Sequence, residues 1–475
     1  MTHEQLKDEL EAHLKDAKHI HFIGIGGISM SALAEILILR GYTVTGSDIR
    51  ESRLVESLRA QGAKINIGHD SANVFGSDVV IYTAAVKEDN PERAQAASMN
   101  IPSYERAVLL GVIMRGYKHS IGISGTHGKT TTTSMISQIL IAENLDPTCL
   151  VGGVLSSIGG NIRVGASDYL VTEACEYVDS FLSMSPNIAV VLNVEEDHLD
   201  YFTNGIEQIK ASFKEFVGLC GPAGLAVICG DDKNAREVAS DAKCRVLLYG
   251  IESDGLDIRA KNIKTGDNRC PEFDVYYKDE FYAHVNLSIP GTHNVLNSLA
   301  CCGVCIALGI SPEAYRIGVE GFFGTRRRFE RVGKINGADI IDDYAHHPTE
   351  IRATLTAAKS MNYDKIYCVF QPHTFSRTIA FFDEFIDALK IADVTVYAEI
   401  YPAREKNLTG ISSYDLAIRA ENGLYFQSFE MIARYLKSVV KENDLVITMG
   451  AGNVYEIHRK EVSTSCLLWV SSPMS

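Results

Sequence analysis

Apolar runs that end in glycine-rich or polar turns and lead into helical patterns recur three times along the chain. They lie at residues 19–27 (HIHFIGIGG), 119–130 (HSIGISGTHGKT) and 338–348 (ADIIDDYAHHP). Such apolar runs are typical of buried parallel strands, because helices cover both faces of the sheet that these strands form. The pattern predicts an α/β protein with three domains.

The domain boundaries follow from breaks between these runs. We predict domains at residues 1–117, 118–325 and 326–475, with the second break in the segment GTRRRFERVG. Residues 250–290 have a hairpin pattern, which predicts a small β insertion in the central domain. The length of 475 residues fits three domains of ordinary size.

The first glycine-rich turn resembles a dinucleotide-binding fingerprint. Gly24, Gly26 and Gly27 follow a strand and precede a helix, and Asp48 ends the next predicted strand. Backbone amides at such a helix N-terminus bind diphosphates. The third glycine of the fingerprint is replaced by Ser29. His69 and Thr83 follow later strands and are further candidates for the same crevice.

The second turn has the features of a phosphate-binding loop. A predicted strand leads into Gly125-Thr126-His127-Gly128-Lys129-Thr130 and then into a helix. Lys129 is placed to reach terminal phosphates, and the Thr130 hydroxyl to reach Mg²⁺. The strict P-loop pattern is not met, because Ile123 stands where its first glycine belongs. A plain glycine-rich turn before an ordinary helix is the alternative.

Two further predicted strands end in potential metal ligands. Glu173 ends the strand DYLVTE, and His198 lies in the turn after IAVVLN. Carboxyl ends of strands line the ligand crevice of an α/β sheet, and Mg²⁺ prefers oxygen ligands. Each residue alone is weak evidence, but together with the loop they predict a magnesium nucleotide site.

Composition excludes several classes of protein. The net charge of −15 is unfavourable for nucleic-acid binding. No apolar run is long enough to span a membrane, and the charged N-terminus predicts an amphipathic helix rather than a signal peptide. The 11 scattered cysteines are typical of reduced, buried thiols. We therefore expect a cytoplasmic protein, and assign no role to the tail 462–475.

Eight motifs together resemble the Mur ligase family, in the order in which that family has them. They are GIGGISMS, GTHGKTTT, EACEYVDSFL, NVEEDHLDYF, PGTHNVLNSLA, GTRRRFE, DDYAHHPTEI and QPHTFSRT, and they span nearly the whole chain. The resemblance implies a Rossmann-like N-terminal domain for a UDP-sugar, a P-loop-type central domain for ATP, and a Rossmann-like C-terminal domain. It also implies an ATP-dependent ligase that forms an amide through an acyl-phosphate. The match is strongest to members that add L-alanine to UDP-N-acetylmuramate.

The resemblance also implies roles for individual residues. Lys129, Glu173, His198 and Arg327 would be catalytic, and Thr130, Glu173 and His198 would bind magnesium. The ATP site would comprise Gly125, Thr126, His127, Gly128, Lys129, Thr130, Thr131, His293, Asn294, Asn297, Arg327 and Asp343. The UDP-sugar site would comprise Gly24, Gly26, Gly27, Ser29, Asp48, His69 and Thr83.

The chain departs from the family pattern at two further places. Cys175 stands where many members have an aspartate, in Glu173-Ala174-Cys175-Glu176. Several sister ligases carry a carbamoylated lysine at a position that falls here on Phe213, beside Lys214. We therefore assign no carbamoyl-lysine, and the second metal's ligands stay open.

Three alternative functions remain at this point. A recycling ligase that adds a tripeptide to the same UDP-sugar has similar motifs. An NAD-dependent oxidoreductase would explain the first glycine turn but leaves the second without a role. A nucleotide switch would hydrolyse ATP slowly and form no amide.

Overall fold

The computed structural model describes residues 1–199, 201–266, 268, 270–403 and 405–458. It contains three β-sheets, one in each predicted domain, and is an α/β fold. Two compact units divide the chain. The first comprises Met1–Ile263, Phe273–Val285 and Leu296–Phe322; the second comprises Lys264–Glu272, Asn286–Val295 and the chain from Phe323 onward. The exact domain boundaries stay predictions.

The first sheet has five parallel strands in the order β3-β2-β1-β4-β5, which confirms the predicted Rossmann-like domain. Its strands are β1 (His19–Ile23), β2 (Thr43–Asp48), β3 (Lys64–Ile67), β4 (Val79–Tyr82) and β5 (Ser103–Glu105). Its helices are α1 (His3–Asp16), α2 (Ile28–Leu39), α3 (Arg53–Ala60), α4 (Pro91–Ser98) and α5 (Arg106–Arg115). The predicted N-terminal helix is α1, which begins with a capping box between Thr2 and Gln5.

The second sheet has ten strands in the order β15-β14-β13-β12-β11-β10-β6-β9-β7-β8. They are β6 (His119–Ser124), β7 (Thr148–Leu155), β8 (Gly160–Arg163), β9 (Tyr169–Glu173), β10 (Ile188–Val191), β11 (Leu225–Cys229), β12 (Arg245–Gly250), β13 (Ile258–Thr265), β14 (Pro271–Tyr277) and β15 (Glu280–Asn286). The helices are α6 (Lys129–Ala142), α7 (Ile206–Gly218), α8 (Lys233–Ala239), α9 (Thr292–Leu308) and α10 (Pro312–Glu320). The predicted β insertion corresponds to β13–β15, which extend one edge of this sheet.

The third sheet has the order β16-β17-β21-β18-β19-β20, parallel except for β16. Its strands are β16 (Glu330–Ile335), β17 (Ala338–Asp343), β18 (Ile366–Phe370), β19 (Val394–Tyr397), β20 (Gly423–Tyr425) and β21 (Leu445–Met449). Its helices are α11 (Pro348–Lys359), α12 (Phe375–Ala380), α13 (Phe382–Leu389), α14 (Ser413–Arg419) and α15 (Phe429–Val439). The antiparallel edge strand β16 was not predicted.

The first two sheets belong to one compact unit and share a hydrophobic core. A Cβ added to Gly111 in α5 would overlap the carbonyl oxygen of Ser183, so the two backbones meet directly. Lys7 in α1 is only 2 % exposed, and its Nζ donates to the carbonyl oxygen of Met184 at 2.9 Å. These contacts hold the predicted UDP-sugar domain firmly against the central sheet.

Two expectations drawn from composition have structural outcomes. Within the described ranges, no helix combines the length and apolar character that crossing a membrane requires. The cysteines in those ranges are free thiols and most are buried, as predicted. The tail 462–475 lies outside the described residues.

Candidate active site

The predicted phosphate loop forms the connection between β6 and α6. Gly125 and Gly128 have φ values of 140° and 87°, which favour glycine, and the helix begins at Lys129. This geometry turns the loop over the N-terminus of α6, where unpaired backbone amides favour an anion. The strand, loop and helix predicted around Lys129 are therefore confirmed.

The segment after β10 holds this loop in place. The His127 amide donates to Asn193 Oδ1 at 2.7 Å, and Asn193 Nδ2 donates back to the His127 carbonyl oxygen at 3.1 Å. The Thr126 hydroxyl accepts from the Glu195 amide at 2.9 Å. Asn193 was not among the predicted site residues, although its place directly after a parallel strand was a usable signal.

Lys129 is bound by the loop and by one carboxylate. Its Nζ donates to the carbonyl oxygens of Gly125 and Thr126, the latter at 3.2 Å. It also lies 2.9 Å and 3.1 Å from the two carboxylate oxygens of Glu176. Burial acts to lower the pKa of Lys129, but the Glu176 carboxylate outweighs it and the pKa is raised. Lys129 is therefore positively charged at neutral pH.

Glu173 ends β9, as predicted, and its carboxylate lies against β7. Its Oε1 accepts a hydrogen bond of 2.6 Å from the Gly152 amide. A Cβ at Gly152 would come within 2.7 Å of both carboxylate oxygens, so only glycine leaves room for them there. The Glu173 charge also contributes to the raised pKa of Lys129, which shows that the two side chains share one environment.

His198 joins the same cluster from the turn after β10. Its Nε2 lies 3.9 Å from Glu176 Oε1, and its ring packs on Tyr177 with centroids 4.6 Å apart. His198 has a φ of 53°, an uncommon conformation that clusters at functional sites. The structure thus brings Lys129 and His198 together around Glu176, a residue that the sequence did not single out.

Phe213 stands where several sister ligases carry a carbamoylated lysine. Phe213 is fully buried and packs edge-on against Phe181. The adjacent Lys214 pairs instead with Asp241 at 3.0 Å, near the surface. Lys214 is therefore directed toward a surface carboxylate, and the second metal's ligands stay open.

Helix α9 carries the three residues predicted for the adenine side. Asn297 is 6 % exposed and packs on the phosphate loop, since a Cβ at Gly128 would lie 2.7 Å from its Oδ1. Asn294 Nδ2 donates to the Pro290 carbonyl oxygen at 2.7 Å and contacts the exposed His293. Their contacts with adenine stay predictions, as do those of Thr130 and Thr131 in the first turn of α6.

The first glycine-rich turn brings most of its predicted residues together. The Gly26 amide donates to Asp48 Oδ2 at 2.9 Å, and a Cβ at Gly24 would lie 3.0 Å from the Thr83 methyl. Gly27 is the N-cap residue of α2. The Ser29 hydroxyl accepts a hydrogen bond of 2.8 Å from Arg106 Nη1. Arg106 was not predicted, because it lies 77 residues away along the chain.

Among the described residues, the guanidinium of Arg106 bonds to the Ser29 hydroxyl and forms no ion pair with a carboxylate. Its guanidinium places a positive charge next to the N-terminus of α2. Both features favour an anion, and together they strengthen the predicted diphosphate site.

His69 reaches this turn through a buried network around Glu92. The Ser47 hydroxyl lies 3.0 Å from His69 Nδ1 and donates to Glu92 Oε2 at 2.6 Å. Glu92 is fully buried and also accepts from Asn73 Nδ2 at 2.6 Å and lies 3.3 Å from His21 Nε2. Burial acts to raise the pKa of Glu92, but these hydrogen bonds lower it to about 2. His69 is thus placed by an ionised carboxylate.

In the second unit, Arg327 is bound by its own sheet. Its Nε lies 3.0 Å from Asp342 Oδ2, and its Nη atoms donate to the carbonyl oxygens of Gly450 and Gly452 at 2.5 Å and 3.1 Å. Its guanidinium also stacks 4.6 Å from the ring centre of Tyr455. Arg327 therefore has a structural role, and its predicted action on phosphate stays a prediction.

Asp343 ends β17 and clamps the neighbouring backbone. Its two oxygens accept from the amides of Phe329 at 2.8 Å and Ala345 at 2.7 Å. Burial raises its pKa to about 6, although Arg328 acts in the opposite direction. The predicted contact of Asp343 with ATP is untested. His347 is the N-cap residue of α11, which begins at Pro348.

The segment YPAREKNLTG at residues 401–410 is, from its sequence, a candidate for a lid or amine-site loop, and the structure describes it except at Arg404. Tyr401 stacks on His373 with ring centres 5.7 Å apart. Burial lowers the pKa of His373 to about 4, so its ring is neutral at physiological pH. No role in amine binding follows from these contacts alone.

Comparison with known proteins covers almost the whole chain. Curated relatives include the UDP-N-acetylmuramate–L-alanine ligases of Caldanaerobacter subterraneus subsp. tengcongensis and Acetivibrio thermocellus. The first is 49 % identical over 455 residues, covering 95 % of this chain and 98 % of the relative. The second is 50 % identical over 444 residues, covering 93 % and 94 %.

Two solved ligase structures are similar to nearly the whole chain. The UDP-N-acetylmuramate-alanine ligase of Thermotoga maritima has a TM-score of 0.79 at 29 % identity, over 94 % of this chain and 99 % of its own. A murein peptide ligase from Psychrobacter arcticus has a TM-score of 0.72 at 25 % identity, over 96 % and 100 %.

Three family models match consecutive parts of the chain. The Mur ligase family catalytic domain matches residues 19–118, the Mur ligase middle domain residues 123–305, and the Mur ligase glutamate ligase domain residues 327–452. These ranges contain the two glycine-rich turns and the third sheet. The chain therefore belongs to the Mur ligase family, as its motifs predicted.

Proposed function

We propose that this protein is a cytoplasmic, ATP-dependent ligase that joins L-alanine to the carboxylate of UDP-N-acetylmuramate. The observation that carries the proposal is the phosphate loop with Lys129, Glu176 and His198 within reach of one another. The identity of about 49 % to ligases with this activity supports the choice of substrates.

The chemistry requires activation of a poor electrophile. A carboxylate oxygen of the UDP-sugar attacks the γ-phosphorus of ATP, and ADP leaves. The amine nitrogen of L-alanine then attacks the acyl-phosphate carbon, and phosphate leaves after a tetrahedral intermediate with loss of a proton. The loop amides and Lys129 would hold the terminal phosphate in line and stabilise its developing charge.

The residues present fit a magnesium ion. Thr130, Glu173 and His198 would hold it: the hydroxyl and carboxylate oxygens, together with water, suit a hard cation, and the imidazole would add the nitrogen ligand that the family resemblance implies. When bound, magnesium would offset phosphate charge during phosphoryl transfer. The Gly152 amide orients Glu173 Oε1, which leaves Oε2 as the oxygen for this role.

The first glycine-rich turn would bind the UDP diphosphate. Amides at the N-terminus of α2 and the Arg106 guanidinium provide donors and positive charge there. Asp48 and His69 line the same turn and would contact the nucleoside portion. Because both turns belong to one compact unit, the two substrates would be presented to each other by a fixed framework.

A second candidate is a ligase that adds a tripeptide to the same UDP-sugar. The structural likeness to a murein peptide ligase favours it, although its TM-score and identity are lower than those of the alanine ligase. An NAD-dependent oxidoreductase would leave the loop at Lys129 without a function.

A single assay separates these functions. ADP release is measured with UDP-N-acetylmuramate plus L-alanine, with the tripeptide in place of L-alanine, with neither amine, and with L-alanine but no UDP-sugar. The proposal expects release that depends on both the UDP-sugar and L-alanine. Release that is faster with the tripeptide supports the second candidate, and amine-independent release contradicts both.

A further inference from the structure

Glu176 is the carboxylate closest to the catalytic lysine. Only 4 % of its side chain is exposed, and both of its oxygens face Lys129 Nζ, at 2.9 Å and 3.1 Å. Among its described titratable neighbours are His198, whose Nε2 lies 3.9 Å from Glu176 Oε1, and Cys175, whose pKa the Glu176 charge helps to raise. With the carbonyl oxygens of Gly125 and Thr126, Glu176 occupies the donors of Lys129.

A nucleotide phosphate that binds Lys129 must therefore come close to Glu176. Two negative groups within a few ångströms repel each other strongly where little water separates them. Free ATP carries its full negative charge, so this repulsion opposes its binding. A divalent cation bound to the phosphates offsets their negative charge next to the Glu176 carboxylate. The carboxylate then attracts the cation and favours binding of the ATP–metal complex.

We propose that Glu176 is a specificity-determining residue that excludes metal-free ATP and thereby makes nucleotide binding depend on the divalent cation. This inference rests on the proposed function, because it places ATP at the loop before Lys129. It assigns Glu176 a task separate from that of Glu173, whose Oε1 is bound to the Gly152 amide.

Equilibrium binding tests this role without turnover. ATP is titrated by calorimetry into wild-type protein and Glu176→Gln, without the UDP-sugar, once in EDTA and once in excess MgCl₂. Glu176→Gln should bind metal-free ATP about tenfold more tightly than wild type. A nearby charge commonly shifts a pKa by about one unit, and the same interaction energy changes a binding constant about tenfold. Affinity for the magnesium complex should change less, so the metal dependence shrinks.

A matched control removes another lysine's carboxylate partner. Glu237 lies 3.0 Å from Lys210, away from the loop, and Glu237→Gln should alter neither affinity. Thermal unfolding checks that the variants fold. If Glu176→Gln is unstable, Glu176→Ala takes its place and should likewise bind metal-free ATP more tightly than wild type.

Three outcomes are distinguishable. Tighter metal-free binding supports the proposal. If Glu176→Gln binds metal-free ATP no more tightly than wild type, the proposal is overturned. This includes the case in which the variant binds only the magnesium complex more weakly, because Glu176 then acts as a plain metal ligand. If wild type binds no ATP even with magnesium, the proposed function itself fails.

Discussion

Asn161 Nδ2 donates a hydrogen bond of 3.0 Å to the carbonyl oxygen of Ile28, and so joins the central sheet to the first turn of α2. Asn161 lies in β8, which pairs with β7, and β7 supplies the Gly152 amide that orients Glu173. One β-hairpin thus contacts both the predicted diphosphate turn and the predicted magnesium ligand. Because the hairpin and both turns belong to one compact unit, the two predicted anion sites share one framework.

Arg106→Ala should weaken binding of UDP-N-acetylmuramate. Loss of one charge-assisted contact costs about 1.5–3 kcal/mol, or roughly ten- to hundredfold in affinity. Calorimetry measures the dissociation constant, and ATP affinity should be unchanged. Arg59→Ala is the control, because Arg59 pairs with Glu51 near the surface. Equal UDP-sugar affinity in Arg106→Ala and wild type would reject the assignment.

Lys129→Ala should abolish ligation and also destabilise the protein. Removing Lys129 leaves the buried Glu176 carboxylate unpaired, at a cost of about 3 kcal/mol. The double variant Lys129→Ala/Glu176→Gln should regain most of the stability but none of the activity. Urea unfolding and ADP release measure the two effects. Amide formation by either variant would contradict the role of Lys129.

Glu92 should make stability depend on pH in the acid range. Its pKa is about 2 in the folded protein, below the ordinary value of 4.5. The folded state therefore favours the charged form, and this stabilisation is present above pH 4.5 and lost as the pH falls towards 2.

Glu92→Gln removes this contribution. In urea unfolding, the stability difference between wild type and Glu92→Gln should be largest near neutral pH and shrink as the pH falls from about 5 to 2. Glu56→Gln, which alters an exposed carboxylate on α3, should show no such trend. A stability difference that stays constant with pH would contradict an ionised, buried Glu92.

Arg327→Ala should reduce turnover much more than ATP binding, and should also lower stability. Turnover falls if an arginine stabilises the phosphoryl group in the transition state. Stability falls because Asp342, buried to 98 %, loses its partner. Steady-state rates, ATP titration and urea unfolding separate these effects. Arg331→Ala is the control, since Arg331 is 61 % exposed. Near-normal turnover of Arg327→Ala would exclude the predicted role.

Local patterns predicted much of the fold. The runs before Gly24 and Gly125 were apolar and ended in glycine, so β1, β6 and their helices were predictable. Strand β16 was missed because the segment GTRRRFERVG, in which it begins, is highly charged. Such a sequence is compatible with a linker and equally with an edge strand that has one neighbour.

Contacts between distant parts of the chain were not predictable in the same way. Asn193 bonds to His127 across 66 residues, and Glu176 reaches Lys129 across 47. Arg327 was predicted from a motif to act on phosphate, but the bonds to Gly450 and Gly452 depend on how β17 and β21 pair. Motif order singles out candidate residues, whereas their partners follow from the folded sheet.

Isotope transfer tests the central claim most directly. UDP-N-acetylmuramate labelled with ¹⁸O in its carboxylate is converted with ATP and L-alanine, and the released phosphate is analysed by mass spectrometry. An acyl-phosphate formed at the loop before Lys129 predicts one ¹⁸O atom in each phosphate, and no labelled phosphate with Lys129→Ala. Phosphate without ¹⁸O from the wild-type protein would contradict the account.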